Sequence, residues 1–137
     1  MIVIDASSLT KYILHEENWR DIGLFIRERK PLYSIDHITK EVGNAIWKHS
    51  YLMKIIDMKK AEDLYSSLLR LFETKVIILE SENEYLKDAL KLSLENGITI
   101  YDSLYIIQAE KHGELLTSDK KQANIAGKLG IKVYFIP

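Results

Sequence analysis

The sequence predicts an α/β fold, a three-layer sandwich with a mostly parallel central sheet. Two observations predict it: short apolar, β-branched runs of strand length recur along the chain, and segments of helical period separate them. Strands that are apolar on both faces are typical of a parallel sheet covered by helices. The 137 residues contain no linker, repeat or low-complexity tract, so we expect a single domain over residues 1–137.

Five runs are predicted to be strands because nearly every residue in them is apolar or β-branched. They are residues 2–4, 32–35, 76–79, 115–117 and 133–136. Each pair of successive runs is separated by a segment long enough for a helix. This alternation favours parallel strands joined by helical crossovers.

The intervening segments have the signals of helices. Apolar residues recur at steps of three and four over residues 38–53 and 64–72, which predicts two amphipathic helices. Segment 81–97 opens with a capping-box pattern, Ser-Glu-Asn-Glu, and ends at Asn-Gly, which typically stops a helix. Segment 104–109 is apolar almost all round and predicts a buried central helix. A last short helix is expected over 121–129, closed by glycine.

Composition excludes several kinds of chemistry. The chain has no cysteine, so disulfides, thiolate zinc sites and cysteine nucleophiles are excluded. Its net charge of -1 argues against binding of polyanions through bulk charge. No apolar run approaches the length of a membrane helix and the first residues lack a basic segment, so we expect a cytoplasmic protein without membrane attachment.

Four acidic residues lie just after predicted strands or in predicted helices. Asp5 comes directly after the first strand, Asp119 after the fourth, and Asp102 at the start of the buried helix. Glu41 lies in the helix that leaves the second strand, beside its apolar stripe. Because ligands of parallel sheets bind beyond the carboxyl ends of the strands, we expect the four carboxylates to converge there.

Each acid also has an ordinary structural explanation. Asp5, Asp102 and Asp119 stand where helix N-caps are expected, each contributing roughly 1 kcal/mol, and Glu41 can be a helix-surface acid. Their joint placement is what favours a chemical site. Two carboxylates about 5 Å apart repel by roughly 3 kcal/mol at an effective dielectric of about 20, so four together need protons or a cation.

Hard divalent cations are the natural partners of such a cluster. Mg²⁺ and Mn²⁺ favour octahedral oxygen coordination and keep some of their waters. The nearby hydroxyls of Ser7, Thr117 and Ser118 can add to the carboxylates directly or through water. We therefore expect Mg²⁺ or Mn²⁺ as the cofactor.

Four short motifs, in order, make the chain resemble the PIN-domain nucleases. They are Val-Ile-Asp-Ala-Ser at 3–7, Ile-Thr-Lys-Glu-Val-Gly-Asn-Ala-Ile-Trp at 38–47, Tyr-Asp-Ser-Leu-Tyr at 101–105 and Leu-Thr-Ser-Asp at 116–119. The terminal strand near residue 133 also matches, so the resemblance covers essentially the whole chain. Among PIN domains it looks most like the VapC-type toxins, which are minimal domains of similar length.

The resemblance implies that the four acids form the metal-binding catalytic site. Asp5, Glu41, Asp102 and Asp119 would be the ligands, and Ser7 and Thr117 would be supporting polar groups. No acid departs from the family pattern. Ser103 replaces the small apolar residue expected after Asp102, which puts nothing catalytic in doubt.

The same resemblance implies the substrate and the partners. It implies an RNA substrate, an antitoxin protein partner and a homodimer. The antitoxin would lay a helix or an extended segment along a groove near the acids, with Tyr12, Ile13 and Trp47 as contributors. Lys120 and Lys121 follow an acid directly and either contact flanking phosphates of the RNA or form a solvated helix end.

The chemistry expected is hydrolysis of phosphodiester bonds by an endoribonuclease. The four histidines are scattered, with no pair placed to activate a ribose hydroxyl, so the nucleophile should be a metal-activated water. Two alternatives remain open: a PIN-fold module that binds RNA or protein without cleaving, and a solitary RNA-processing nuclease.

Overall fold

A computed structural model describes residues 1–137 and contains five strands that form a single sheet. The strands are β1 Ile2–Ile4, β2 Leu32–Ile35, β3 Ile77–Glu80, β4 Glu114–Thr117 and β5 Lys132–Phe135. Their order across the sheet is β3-β2-β1-β4-β5, and every neighbouring pair is parallel. The predicted α/β fold is confirmed, and the predicted strands differ from the observed ones by one residue at most at either end.

Seven α-helices connect and cover the strands. They are α1 Ala6–Leu14, α2 Trp19–Arg29, α3 Ile38–Trp47, α4 Met58–Glu73, α5 Leu86–Asn96, α6 Ile100–His112 and α7 Lys120–Lys128. None of these helices has both the length and the apolar character needed to cross a membrane.

The helices predicted over 64–72, 104–109 and 121–129 are present with shifted ends, as α4, α6 and α7. Two other predicted helices also change their helix type at one end. The helix expected over 38–53 is α-helical only to Trp47 and continues as a π-helical turn over Lys48–Leu52. The capping box at 81–84 caps a 3₁₀ turn rather than α5, because the Ser81 hydroxyl accepts from the backbone N–H of Asn83. The carboxylate of Asp36 also holds this turn by accepting from the N–H of Glu82 at 3.0 Å. The long helix therefore starts only at Leu86.

The central strand β1 contributes to both layers of the core. Ile2 and Ile4 belong to a cluster of 18 buried apolar residues, whereas Val3 belongs to a second cluster of 8. Alternate residues of a strand point to opposite faces, so helices cover the sheet on both sides. The larger cluster includes Leu9 of α1, and the smaller one includes Ile125 of α7.

The strand order decides which loops meet at the carboxyl edge of the sheet. β1 lies between β2 and β4, so the chain leaving each of these three strands emerges side by side. These exits lead into α1, α3 and α7, and α6 packs against β1, β2 and β4. Four elements that carry the predicted site residues thus share one edge.

Candidate active site

Asp5 is the most deeply buried of the four acids. It follows β1, caps the N-terminus of α1, and is fully inaccessible to solvent. Its carboxylate accepts hydrogen bonds from the N–H of Ser8 at 3.0 Å, the hydroxyl of Ser7 at 2.7 Å and the hydroxyl of Thr117. Burial nevertheless raises the pKa of Asp5 to about 6, with these bonds opposing the shift and the charge of Asp119 adding to it.

Ser7 and Thr117 connect Asp5 to the loop that leads into α7. The N–H of Asp119 donates to Thr117 Oγ1 at 3.0 Å, and the N–H of Ser118 donates to Ser7 Oγ at 3.0 Å. The two hydroxyls predicted as supporting groups therefore fix the exits of β1 and β4 to each other. They also satisfy backbone donors that the turn would otherwise leave without partners.

Asp119 and Asp102 lie on neighbouring helices. Asp119 caps α7, as expected, by accepting from the N–H of Gln122 at 3.0 Å. The expectation that Asp102 caps its helix is wrong: α6 begins earlier, and the hydroxyl of Thr99 caps it by accepting from the N–H of Asp102 at 3.3 Å. Asp102 is the third residue of α6, so its carboxylate is not used as a cap.

The carboxylate of Asp102 instead accepts from Gln122 Nε2 at 3.0 Å. Burial raises the pKa of Asp102; the hydrogen bond from Gln122 opposes the shift, and the negative charge of Asp119 reinforces it. The charge of Asp119 thus disfavours the charged form of Asp102 at this edge of the sheet.

Glu41 enters the site from α3. The hydroxyl of Tyr105, a buried residue of α6, donates to Glu41 Oε1 at 2.5 Å, and His37 Nε2 lies 3.8 Å from the same oxygen. Burial raises the pKa of Glu41, while Tyr105 and His37 act in the opposite direction and Asp102 adds to the increase. Glu41 is therefore held toward α6 rather than toward bulk solvent.

Three of the acids line one cleft of about 400 Å³. Its lining residues are Ala6, Ser7, Thr10, Lys11, Glu16, Glu41, Asp102, Asp119 and Gln122. Asp5 does not line the cleft and adjoins it through the hydrogen bond from Ser7. The structure thus brings Glu41, Asp102 and Asp119 together, with Asp5 buried behind them.

Several residues of this site were not found from the sequence. Lys11 and Glu16 line the cleft, Tyr105 holds Glu41, and Gln122 holds Asp102. Helical spacing is the signal that points to three of them. Lys11 lies one turn after Ser7, Tyr105 lies three residues after Asp102, and Gln122 lies three residues after Asp119.

The two lysines predicted as phosphate contacts lie beside the cleft. Lys120 and Lys121 begin α7 and are exposed, and neither lines the cleft. The charge of Lys121 is close enough to oppose the raised pKa of Asp102. Lys11 is the basic residue that lines the cleft itself.

None of the four acids forms an ion pair with a lysine or an arginine. The ion pairs of the lysines and arginines lie elsewhere in the molecule, and His37 is the one cationic candidate within 4.0 Å of any of the four. All the donors are oxygens, a set that suits Mg²⁺ or Mn²⁺ better than a softer metal. In its chemistry the site therefore fits a hard divalent cation.

The same side chains do not form a finished metal cage. No three acidic or histidine side chains lie close enough, as arranged, to hold one ion together. Mg²⁺ commonly binds through one or two carboxylates and keeps several waters, so a partial set of protein ligands is compatible with it.

Comparison with known proteins identifies the family. The PIN domain family matches residues 2–128. The chain belongs to the PIN-domain family. This confirms the resemblance drawn from the four sequence motifs.

Relatives of this PIN-domain protein include two from Pyrobaculum aerophilum. One is named Ribonuclease VapC3 and is 32% identical over 123 residues, which cover 89% of this chain and 92% of the relative. The other is named Exonuclease VapC9 and is 29% identical over 137 residues, covering 98% and 92%. These relatives, together with the family, support a nuclease of the VapC type.

A solved structure supports the fold independently. The crystal structure of PAE2754 from Pyrobaculum aerophilum matches with a TM-score of 0.57 and 22% identity, covering 94% of this chain and 98% of that one. At this identity the match supports the fold alone.

Proposed function

We propose that this PIN-domain protein is a divalent-metal-dependent endoribonuclease and the toxin of a toxin–antitoxin pair. One observation carries the proposal: three carboxylates line one cleft with a fourth buried behind them, and no lysine or arginine forms an ion pair with any of them. Carboxylates arranged in this way are unfavourable unless a cation joins them. A cation held over an open cleft can also hold a phosphodiester.

The residues have distinct tasks in this proposal. Asp5, Glu41, Asp102 and Asp119 would hold Mg²⁺ or Mn²⁺, and the bound ion would supply an activated water and positive charge beside the phosphate. Ser7 and Thr117 fix the carboxylate of Asp5. The hydroxyl of Tyr105 fixes that of Glu41.

Basic residues would hold the RNA strand on either side of the scissile bond. Lys11 projects from the wall of the cleft, which suits a contact to the phosphate nearest the acids. Lys120 and Lys121 lie just outside the cleft and suit flanking phosphates. These contacts give affinity and register without reading the base sequence.

The arrangement favours water as the nucleophile. No histidine lines the cleft, so a histidine pair that would activate a ribose 2′-hydroxyl is missing. Attack by water with departure of the 3′ oxygen leaves a 5′-phosphate and a 3′-hydroxyl. Cleavage should then continue when the scissile nucleotide carries a 2′-deoxyribose.

End-group analysis of a cleaved oligonucleotide tests this mechanism. The expected products carry a 5′-phosphate and a 3′-hydroxyl, and EDTA should stop their formation. A 2′,3′-cyclic phosphate, or cleavage that persists without divalent metal, would overturn the mechanism. RNA binding without any turnover would favour the alternative of a non-hydrolytic module.

A circular RNA separates internal cleavage from end-dependent degradation. One relative is named a ribonuclease and the other an exonuclease, so this distinction matters for the chain. An endoribonuclease linearises the circle. Degradation of the linear form with survival of the circle would replace the proposal by an exonuclease.

An apolar groove suits the antitoxin. It lies between α3 and the start of α4, encloses about 670 Å³, and is lined in part by Trp47, Tyr51, Met58 and Tyr65. These side chains are all substantially exposed, and an amphipathic helix or an extended segment would bury them. Ile13, expected as a contributor, belongs to the core and is 5% exposed, so that expectation is wrong.

The toxin assignment and the dimer can be tested separately. A small partner gene immediately upstream would favour a toxin–antitoxin pair, and its absence a solitary nuclease. Light scattering should give the mass of a homodimer. A monomer at micromolar concentration would remove the dimer.

A further inference from the structure

Gln122 joins two of the acids, and nothing in the proposed chemistry assigns it a role. Its side-chain Nε2 donates to Asp102 Oδ1 at 3.0 Å, and its backbone N–H donates to Asp119 Oδ1 at 3.0 Å. It is 4% exposed and lines the cleft. One residue of α7 therefore contacts carboxylates on two different helices.

Helix capping does not explain the direction of this side chain. Asp119-Lys-Lys-Gln122 has the spacing of a capping box, in which the glutamine side chain returns to the backbone N–H of the N-cap residue. Here that N–H donates to Thr117 Oγ1 at 3.0 Å. The Gln122 amide is turned toward Asp102 instead, so the second half of the capping box is not made.

Packing does not explain the amide either. Gln122 Oε1 is buried and has no hydrogen-bond donor, which is unfavourable for the folded state. Methionine has a similar length and would fill the space without a buried acceptor. Asp102 lines an open cleft, where water can hydrate its carboxylate without help from an amide.

We propose that Gln122 is a positioning residue that holds the Asp102 carboxylate beside Asp119 so that both can bind one metal ion. This inference rests on the proposed function. The two carboxylates repel each other, and without the amide Asp102 is free to rotate toward solvent. Partners that orient metal ligands in this way typically contribute 10–100-fold in metal affinity or activity.

Gln108 provides a matched control within the same chain. It is fully buried in α6, its Nε2 donates to Glu80 Oε1 at 2.9 Å, and its Oε1 is also buried without a donor. It therefore has the same surroundings as Gln122, a carboxylate on one side and an unpaired oxygen on the other. Glu80 does not line the cleft.

The experiment compares Gln122→Met and Gln108→Met in the full chain. Melting temperature is measured without metal and during titration with MnCl₂, and kcat and KM are measured on an RNA oligonucleotide. We expect similar changes of metal-free melting temperature in the two variants. Only Gln122→Met should raise the Mn²⁺ midpoint, by roughly 10-fold or more, and lower kcat by roughly 10–100-fold with KM for RNA nearly unchanged.

The outcomes separate this inference from the function on which it rests. If the wild type cleaves RNA and gains stability with Mn²⁺, but Gln122→Met matches it in both, the role of Gln122 is refuted and the function stands. If Gln108→Met changes the Mn²⁺ midpoint as much as Gln122→Met does, the change does not depend on the contact with Asp102, and the role of Gln122 is also refuted. If the wild type neither binds Mn²⁺ nor cleaves, both proposals fail. Gln122→Leu is the second variant should Gln122→Met not fold, with the same expected results.

Discussion

Asp5 and Glu80 are carboxylates that each accept three hydrogen bonds, yet their pKa values are shifted in opposite directions. Glu80 Oε1 accepts from Tyr85, Gln108 and His112 at 2.7 to 2.9 Å. Burial acts to raise the pKa of Glu80, but these donors outweigh it and the pKa is lowered. The pKa of Asp5 is raised to about 6 despite its own three donors.

The depth of burial and the neighbouring charge explain the difference. Asp5 is completely buried and another carboxylate, Asp119, adds to its shift. Glu80 is partly accessible and has a histidine, His112, as its partner. In the Glu80 cluster, which we define as Glu80, Tyr85, Gln108 and His112, the carboxylate has three hydrogen-bond donors. The cleft acids have no lysine or arginine within 4.0 Å, and this favours them as the site for a cation.

The loss of cleavage activity on substitution should be the largest difference between the cleft acids and the Glu80 cluster. Asp102→Asn is expected to lower kcat/KM on RNA by more than about 100-fold, because losing even the partner of a metal ligand costs roughly 10–100-fold. Glu80→Gln should leave kcat/KM within a fewfold of the wild type, since Glu80 lies outside the cleft. Both variants are assayed on one oligonucleotide under saturating Mg²⁺. Equal losses in the two would show that the cleft acids have no special part in cleavage.

Stabilisation of the folded protein by metal should depend on the cleft acids and not on the Glu80 cluster. At 100 times its Kd, a ligand that binds only the folded state stabilises it by about 2.7 kcal/mol. We expect this gain with Mn²⁺ for the wild type and for Glu80→Gln, and little of it for Asp102→Asn or Asp5→Asn. Chemical denaturation with and without MnCl₂ measures it. Equal gains in stability for all four proteins would contradict metal binding at Asp5 and Asp102.

The pH dependence of metal-free stability should have opposite signs in the two regions. Asp5 has a folded-state pKa of about 6, above its ordinary value of 3.8, so its contribution is full below pH 3.8 and is lost as the pH rises through 6. Asp5→Asn should therefore make the protein more stable at pH 7, by at most about 3 kcal/mol, since one pKa unit corresponds to about 1.4 kcal/mol. Any loss of the helix cap that the carboxylate supplies reduces this gain.

Glu80 should behave in the opposite way. Its pKa lies below the ordinary 4.5, so its contribution is present above that pH and is lost as the pH falls through the lower folded value. Glu80→Gln should cost about 1–2 kcal/mol at pH 7, because the donors then face a neutral acceptor. Urea unfolding between pH 4 and 8 with EDTA present tests both variants. A lower stability of Asp5→Asn at pH 7 would contradict the conclusion that burial makes the charged form of Asp5 unfavourable.

The smallest expected effect comes from a matched pair of tyrosines. Tyr85 donates to Glu80 Oε1 at 2.7 Å, and Tyr105 donates to Glu41 Oε1 at 2.5 Å. Burial and the charge of Glu41 raise the pKa of Tyr105, so its hydroxyl remains a donor at neutral pH. Tyr85→Phe and Tyr105→Phe should each cost about 1 kcal/mol of stability.

Only Tyr105→Phe should also reduce kcat, by several-fold, because Glu41 loses the contact that orients it. Urea unfolding and single-oligonucleotide kinetics give the two numbers for each variant. A fall in kcat with Tyr85→Phe of the same size would mean that loss of stability, rather than the position of Glu41, limits the activity.

Local patterns were enough to predict the fold and the positions of Asp5 and Asp119 at the starts of helices. Runs such as 2–4 and 115–117 consist of apolar or β-branched residues, so they predict strands buried on both faces, and Asp5 and Asp119 follow them within two residues. Capping is a local interaction, which is why both were correctly expected to begin helices. Asp102 was placed wrongly as a cap because Thr99, three residues earlier, competes for the same role and starts the helix sooner.

The sequence by itself determined the alternation of strands and helices, because hydrophobic periodicity and capping act over a few residues. Only the tertiary structure decided the contacts that complete the site. Tyr105 and Glu41 are 64 residues apart, and Thr117 and Asp5 are 112 apart. Such pairs meet because β1 lies between β2 and β4 in the sheet. The direction of the Gln122 amide has the same origin. The backbone N–H of Asp119, its partner in a capping box, already donates to Thr117 Oγ1, and the amide donates to the distant Asp102 carboxylate instead.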